Sequence, residues 1–206
     1  RLAQRGTAVI VDAGKPPPLE LSGGAHAGCL SFEMYSGPYP VIVNCGAPGS
    51  ADEDWRQIAR GTAAHSTLVL NFASSGRLHR RADLERRMGA IPLVDPSSVD
   101  ARVTIDADGA MELAAGHNGY VDRFGLTHSR LLRLSADGSR LEGIDRVYSP
   151  GVMGTLTAPL RGLRNIPFAA HFHIHPTATM IPGEEPQTID IKLANGEVWR
   201  LAAKGA

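Results

Sequence analysis

Histidine supplies most of the side chains in this sequence whose type and spacing suit chemistry. Eight occur among 206 residues, and three alternate in one run, His171-Phe172-His173-Ile174-His175, closed by Pro176. A period of two is the period of a strand, so the three imidazoles share one face while Phe172 and Ile174 share the other. Neutral imidazoles ligate metals, and their titration near neutrality suits acid–base work. The plain alternative is a sandwich strand with Phe172 and Ile174 inward and the imidazoles as an outward polar row. Alternate positions on an extended strand lie about 7 Å apart, too wide for three rings to share one ion. The expectation for this run is a polar sheet face.

Four more histidines sit where strand-like runs begin or turn. His26 lies in "SGGAHAGCLSFEM", His65 in "RGTAAHSTLVL", His117 in "AAGHNGY" and His128 in "GLTHSR". Histidines in small-residue loops at strand mouths can converge on a ligand, although a single one more often only makes a hydrogen bond. Arg77, Arg80, Arg81, Arg86 and Arg87 could meet an acidic sugar or phosphate. Their plain reading is a solvated face, partly offset by Asp83 and Glu85. The sequence has no phosphate-cradling glycine loop, no nucleophile elbow and no CxxC pair, so several enzyme classes drop out.

Positioning these residues falls to short strands. "VTIDADGAMEL" (103–113), "RLLRLSADGSRLEGIDRV" (130–147) and "IDIKLANGEVWRLAA" (189–203) each read as strand, Asp-Gly or Asn-Gly turn, strand. "CLSFEMYSGPYPVIVNCG" (29–46) predicts two strands joined at Ser-Gly-Pro, and "STLVLNF" (66–72) a further one. Helix signals are few: "ADEDWRQIAR" (51–60), with acids first and Arg last, and "RRADLERRM" (80–88). The fold class expected is all-β, a large antiparallel β-sandwich with one or two short helices, in a single domain over 1–206.

Composition narrows the partners. With 21 basic and 21 acidic residues the formal net charge is zero, so no global field draws the chain to nucleic acid or to a membrane surface. No apolar run approaches membrane-spanning length. Aromatic residues make up only 5%, which argues against a free-standing module that stacks sugars on Trp and Tyr. The two cysteines, Cys29 and Cys45, are too few for a disulfide scaffold and are expected as free, buried thiols.

Several of these stretches together carry a family resemblance. "AHAGCLSFEMYSGPYPVIVNCG", "RGTAAHSTLVLN", "GHNGYVDRFGLTHSRLLRLSADGSRLEGIDRV" and "FHIHP" resemble the C-terminal β-sandwich of heparinase II/III-like polysaccharide lyases. The likeness implies an N-terminal α/α toroid of helices elsewhere in the same protein, an acidic, uronic-acid polysaccharide as substrate, cleavage by β-elimination, a bacterial source and a periplasmic or secreted location. A chain opening on Arg1 is what a piece of such a protein would look like, and it is expected to be inactive without the toroid. The family holds a metal, usually zinc, at positions matching His26, Asn44 and His65. Asn44 stands where the family has Asp, which weakens the site. Gly24 stands where a catalytic His is expected, and the family's Tyr acid/base comes from the toroid, so Tyr35, Tyr39, Tyr120 and Tyr148 match no motif. His171, His173 and His175 would then line the cleft toward the toroid. Two other readings stay open: a non-catalytic carbohydrate-binding or structural sandwich, and a cupin-like protein whose metal strand is the His171–His175 run.

Overall fold

The computed structural model describes residues 1–47, 49, 52–80, 82–88, 91–150 and 166–205. In chain order the strands and helices are β1 (Leu2–Gln4), β2 (Thr7–Val11), β3 (Phe32–Ser36), β4 (Tyr39–Val43), α1 (Glu53–Ala59), β5 (Leu68–Leu70), β6 (Arg77–Leu78), α2 (Ala82–Met88), β7 (Leu93–Val94), β8 (Val99–Ile105), β9 (Met111–His117), α3 (Val121–Phe124), β10 (Thr127–Leu134), β11 (Leu141–Tyr148), β12 (Phe168–Ala170), β13 (His173–Ile174), β14 (Thr179–Pro182), β15 (Thr188–Lys192) and β16 (Val198–Ala202). The pairings are all antiparallel. The chain is an all-β sandwich with a few short helices.

Two sheets enclose the main core. One runs β1-β2-β3-β4-β13 and the other β11-β10-β9-β8. Leu2, Val9, Phe32, Met34, Val41 and Ile42 from the first pack on Leu113, Ala115, Leu132 and Leu134 from the second. A third sheet, β14-β15-β16, adds Ile191 to this core, joined by Leu193 just after β15. Alternation decides the faces, as β10 shows: His128, Arg130, Leu132 and Leu134 are buried while their neighbours are half-exposed. Fully burying an aliphatic side chain contributes roughly 1.5–3 kcal/mol, so a one-residue slip would forfeit several such terms and the register is fixed.

The Gly-containing turns form where the sequence places them, joining β8 to β9, β10 to β11 and β15 to β16. Gly138 has φ +72°, and a Cβ there would meet Gln4 O at 2.4 Å. Only glycine fits both the turn and that close approach. Helix α1 starts at Asp52, whose Oδ1 accepts from Asp54 N at 3.0 Å and Trp55 N at 3.3 Å. The single-turn α3, closed by Gly125 at φ +69°, adds to the two predicted helices; one turn is too short to leave a periodic signal.

The histidine run departs from one continuous strand. Ala170 still pairs with Leu68 of β5, whereas His173 pairs with Val43 of β4. Between them His171 N donates to Thr67 O at 3.0 Å and His173 N donates to Ser66 Oγ at 3.0 Å. The chain crosses from one sheet to another here, yet alternation survives. Phe172 and Ile174 pack on the main core, with Phe172 edge-on to Phe32 at 6.1 Å between centroids. No helix among the described residues is long and apolar enough to cross a membrane.

Candidate functional site

His26 and His65 come together. His26 Nδ1 lies 3.2 Å from His65 Nε2, with the rings perpendicular. Their placement is built from the backbone outward. Arg60, at the end of α1 and only 4% exposed, donates from Nε to Ala25 O at 2.8 Å and from NH2 to Ser22 O at 3.1 Å. Thr62 Oγ1 donates to Ala27 O at 2.6 Å, so the glycine-rich segment around His26 is clamped on both sides. His65 rests against Gly28, where a Cβ would meet its Cδ2 at 2.7 Å. Glycine is needed there for the ring to lie as close as it does.

Both imidazoles are held neutral. Burial pushes His26 down, helped by the charges of His65 and Arg60, and burial likewise pushes His65 down. His65 Nδ1 donates to Gly61 O at 2.8 Å, since a carbonyl can only accept. Its Nε2 lone pair therefore faces His26. Two nitrogens on tetrahedral zinc, each about 2.0–2.1 Å from the ion, stand about 3.3 Å apart. The 3.2 Å separation suits that edge as well as a shared proton, and the His65–Gly61 bond is the outer-shell contact that ligating histidines usually make. The pair has the spacing of two ligand nitrogens and supplies two of the three or four ligands that zinc takes.

Asn44 is the third position that the resemblance implied. It follows β4, but its Oδ1 accepts from Ser66 N at 2.8 Å and its Nδ2 donates to Glu33 Oε1 at 3.3 Å. The amide braces the turn beside His65, and its oxygen, accepting one bond, keeps a second lone pair. Among the described residues no three His, Cys, Asp or Glu side chains converge as a metal group. At Gly24 an added Cβ would meet nothing within 4 Å, so the position has room for a side chain that this sequence does not supply.

His171 and His173 stack in parallel at 6.1 Å, and His175 Nδ1 bonds Thr177 Oγ1 at 2.8 Å. His173 and His175, with Glu33, Tyr35, Asn44 and Cys45, line a concavity of about 640 Å³ along the edge formed by β4 and β13. Glu33 there accepts from Tyr35 OH at 2.8 Å. Cys45, expected as a buried thiol, is exposed, because it follows the end of β4 where the sheet stops covering the chain; Cys29 is free and buried as expected. Of the arginine cluster, Arg77 pairs with Asp95 and Asp122 and Arg86 bonds Ala82 O, while Arg81 lies outside the described residues.

His117 and His128, expected in loops, lie instead at the end of β9 and within β10, and both are buried. Gly119 N donates to His117 Nδ1 at 3.0 Å, so the His117 proton sits on Nε2 and goes to His128 Nδ1 at 3.1 Å. His128 Nε2 in turn donates to Asp145 Oδ1 at 2.8 Å. Arg130, 2% exposed, binds Asp145 through Nε and NH2, each at 2.8 Å. Its NH1 reaches across to Leu30 O at 2.7 Å and Ser66 O at 2.8 Å. The network thus staples one sheet to the turn that carries His65. Sequence reading passed over Arg130 and Asp145, although both lie equally far from the centre of the Asp137-Gly138 turn and pair across the hairpin. That symmetry was the available signal.

The chain matches the family described as Heparinase II/III-like, C-terminal, over residues 1–206. FtsZ-localized protein C of Caulobacter vibrioides (strain NA1000 / CB15N) is 30% identical over 193 residues, 94% of this chain and 32% of its own length. A solved heparinase III with methylated lysines shares the fold at a TM-score of 0.58 and 13% identity, covering 86% of this chain and 22% of that one. The chain therefore spans about a third of the relative and about a fifth of the solved protein. With the family matched from end to end and the same sandwich fold in a solved heparinase III, the chain belongs to the heparinase II/III-like C-terminal family, a domain related to polysaccharide lyases.

Proposed function

We propose that this chain is the sandwich part of a bacterial lyase that cleaves an acidic, uronic-acid polysaccharide by β-elimination, in the periplasm or outside the cell. Elimination needs positive charge at the uronate carboxylate, a base for the weakly acidic proton beside it, and an acid for the departing oxygen. The observation that carries this reading is the neutral pair His26 and His65, 3.2 Å apart and braced by Arg60, Thr62 and Gly61. Zinc bound there would supply the charge that a carboxylate approaches. The chain's own part is to hold the two ring nitrogens in place, with water in the positions that Asn44 leaves open, and to present His171, His173 and His175 toward the cleft. The acid/base groups belong to an N-terminal helical toroid of the same protein. On this reading the 206-residue chain alone forms no unsaturated uronate from any uronic-acid polymer, as followed by ultraviolet absorbance; turnover by the isolated chain would refute the division of labour.

Zinc analysis gives a second expectation. Protein purified without a histidine tag should lose its zinc on His65→Ala and keep it on Asn44→Ala, because the Asn44 oxygen already accepts from Ser66. Equal metal content in the wild type and His65→Ala contradicts the assignment.

A non-catalytic carbohydrate-binding or structural module is the second reading. It is favoured by Gly24, by the uncharged Asn44 amide held by Ser66 and Glu33, and by 30% identity to a protein named for its localisation with FtsZ. The readings part on turnover by the longer protein: a structural module gives none there either.

A further inference from the structure

The β11-β10-β9-β8 sheet ends on β8, a strand of seven residues without proline. Ser98 O accepts from Asn118 N at 3.2 Å, and Asp106 N donates to Ala110 O at 2.8 Å. Bonding alternates along an antiparallel strand, so the even-numbered residues bond β9. Val99, Ala101, Val103 and Ile105 turn their N–H and C=O groups outward. Sheet edges are usually blunted by shortness, by proline or by a charge pointing inward. Other edges here follow that rule: β1 has three residues, β13 has two, β14 ends on Pro182, and β11 points Asp145 inward to Arg130. On β8 the outward-bonding residues also share the inner face of the sheet, beside Leu113 and Ala115 of the core. Yet Val103 is 43% exposed and Ile105 70%. Asp100 and Arg102 stand exposed on the outer face, and neither joins an ion pair among the described residues.

We propose that β8 is a dimer interface, pairing antiparallel with β8 of a second copy of this chain about a two-fold axis at Ala101. That register sets Ala101 against Ala101, and Val99 against Val103 of the second copy, so each outward N–H meets an outward C=O. It also sets Asp100 directly opposite Arg102 of the second copy, and the symmetry repeats the pair. Opposite charges facing each other across two strands attract, and like charges repel. Moving the axis one residue either way sets Asp100 against Asp100 or Arg102 against Arg102, so charge selects the register. The two four-stranded sheets then run on as one, and Val103 gains an apolar neighbour in Val99 of the second copy. The interface is independent of the His26–His65 pair and of any lyase activity.

The test is sedimentation velocity on the 206-residue chain and on the longer protein, over about a hundredfold range of concentration. Both should show a monomer–dimer equilibrium. Asp100→Arg and Arg102→Asp each turn two attractive pairs repulsive and should weaken association about tenfold or more. The double variant D100R/R102D exchanges the charges and should restore it. Hydrogen exchange on the wild type gives a reading without variants: the Val99, Ala101 and Val103 amides should be protected in concentrated protein and exchange freely in dilute protein. A chain that stays monomeric throughout overturns the proposal. So does a dimer that is indifferent to both single reversals, with circular dichroism unchanged, or that the double variant fails to restore. A longer protein that is monomeric with these amides protected also overturns it, because another part of the same polypeptide then covers β8. The exchange measurement decides even where a variant fails to fold.

Discussion

Asp145→Asn is expected to lower the unfolding free energy by about 3–5 kcal/mol, the usual cost of leaving one partner of a buried ion pair unpaired. Arg130 is 2% exposed and binds Asp145 through two nitrogens. Burial by itself raises the Asp145 carboxyl, but the bonds from His128 and Arg130 and the Arg130 charge outweigh it and hold the group well below the usual carboxylate range. Removing the carboxylate strands a guanidinium that cannot discharge. It also leaves His128 Nε2 donating to an amide in place of a charged oxygen. Glu142→Gln is the matched control on the same strand. Its pair with Arg140 has side chains 72% and 47% exposed, and such pairs contribute little. Urea unfolding of both variants, read by circular dichroism, checks the contrast; similar midpoints for the two would show that the Arg130–Asp145 pair is not the staple described above.

Acid should weaken the fold well before its carboxylates titrate. Burial pushes His117 down to about 3, helped by the charges of His128 and Arg130, and burial also pushes His128 down despite the raising effect of Asp145. In the unfolded chain both titrate near 6.5. A folded value below the unfolded one means that the unfolded chain takes up protons first as pH falls. The stabilisation is therefore complete above about 6.5 and drains away from there toward 3. At pH 4.5 His117 alone, two units below its unfolded value, accounts for about 2–3 kcal/mol. Urea midpoints at pH 7.5 and 4.5 should differ accordingly, and His117→Gln should flatten the difference. A wild-type midpoint that is the same at both values would contradict the neutral, buried assignment of these rings.

Local features were legible in the sequence, and meetings between distant segments were not. Asp-Gly and Asn-Gly turns are local: Gly109, Gly138 and Gly196 all adopt positive φ, and the strands beside them follow. The His26–His65 meeting was legible only through family resemblance, because 39 residues separate the partners. The Arg130–Asp145–His128–His117 network depends on register across two hairpins. Alternation puts these residues on one face without revealing that the face is buried. The run from His171 to His175 shows the converse limit. Its period announced a strand and its inward pair, but not that Ala170 and His173 pair with different sheets. Asn44 could be matched to a ligand position by sequence, whereas its bonds to Ser66 and Glu33 needed coordinates.

The most direct test of the central claim, that His26 and His65 serve a lyase completed by another domain, is unsaturated-uronate absorbance from the longer protein with its helical domain in place. Heparin, hyaluronan and alginate should be assayed alongside zinc content. The account predicts turnover of at least one polymer by the intact protein. It predicts a loss of about 10–100-fold or more in His65→Ala, the scale seen when groups supporting a metal site are removed, with circular dichroism unchanged. No turnover of any uronic-acid polymer by the intact protein, or full activity in His65→Ala, would contradict it.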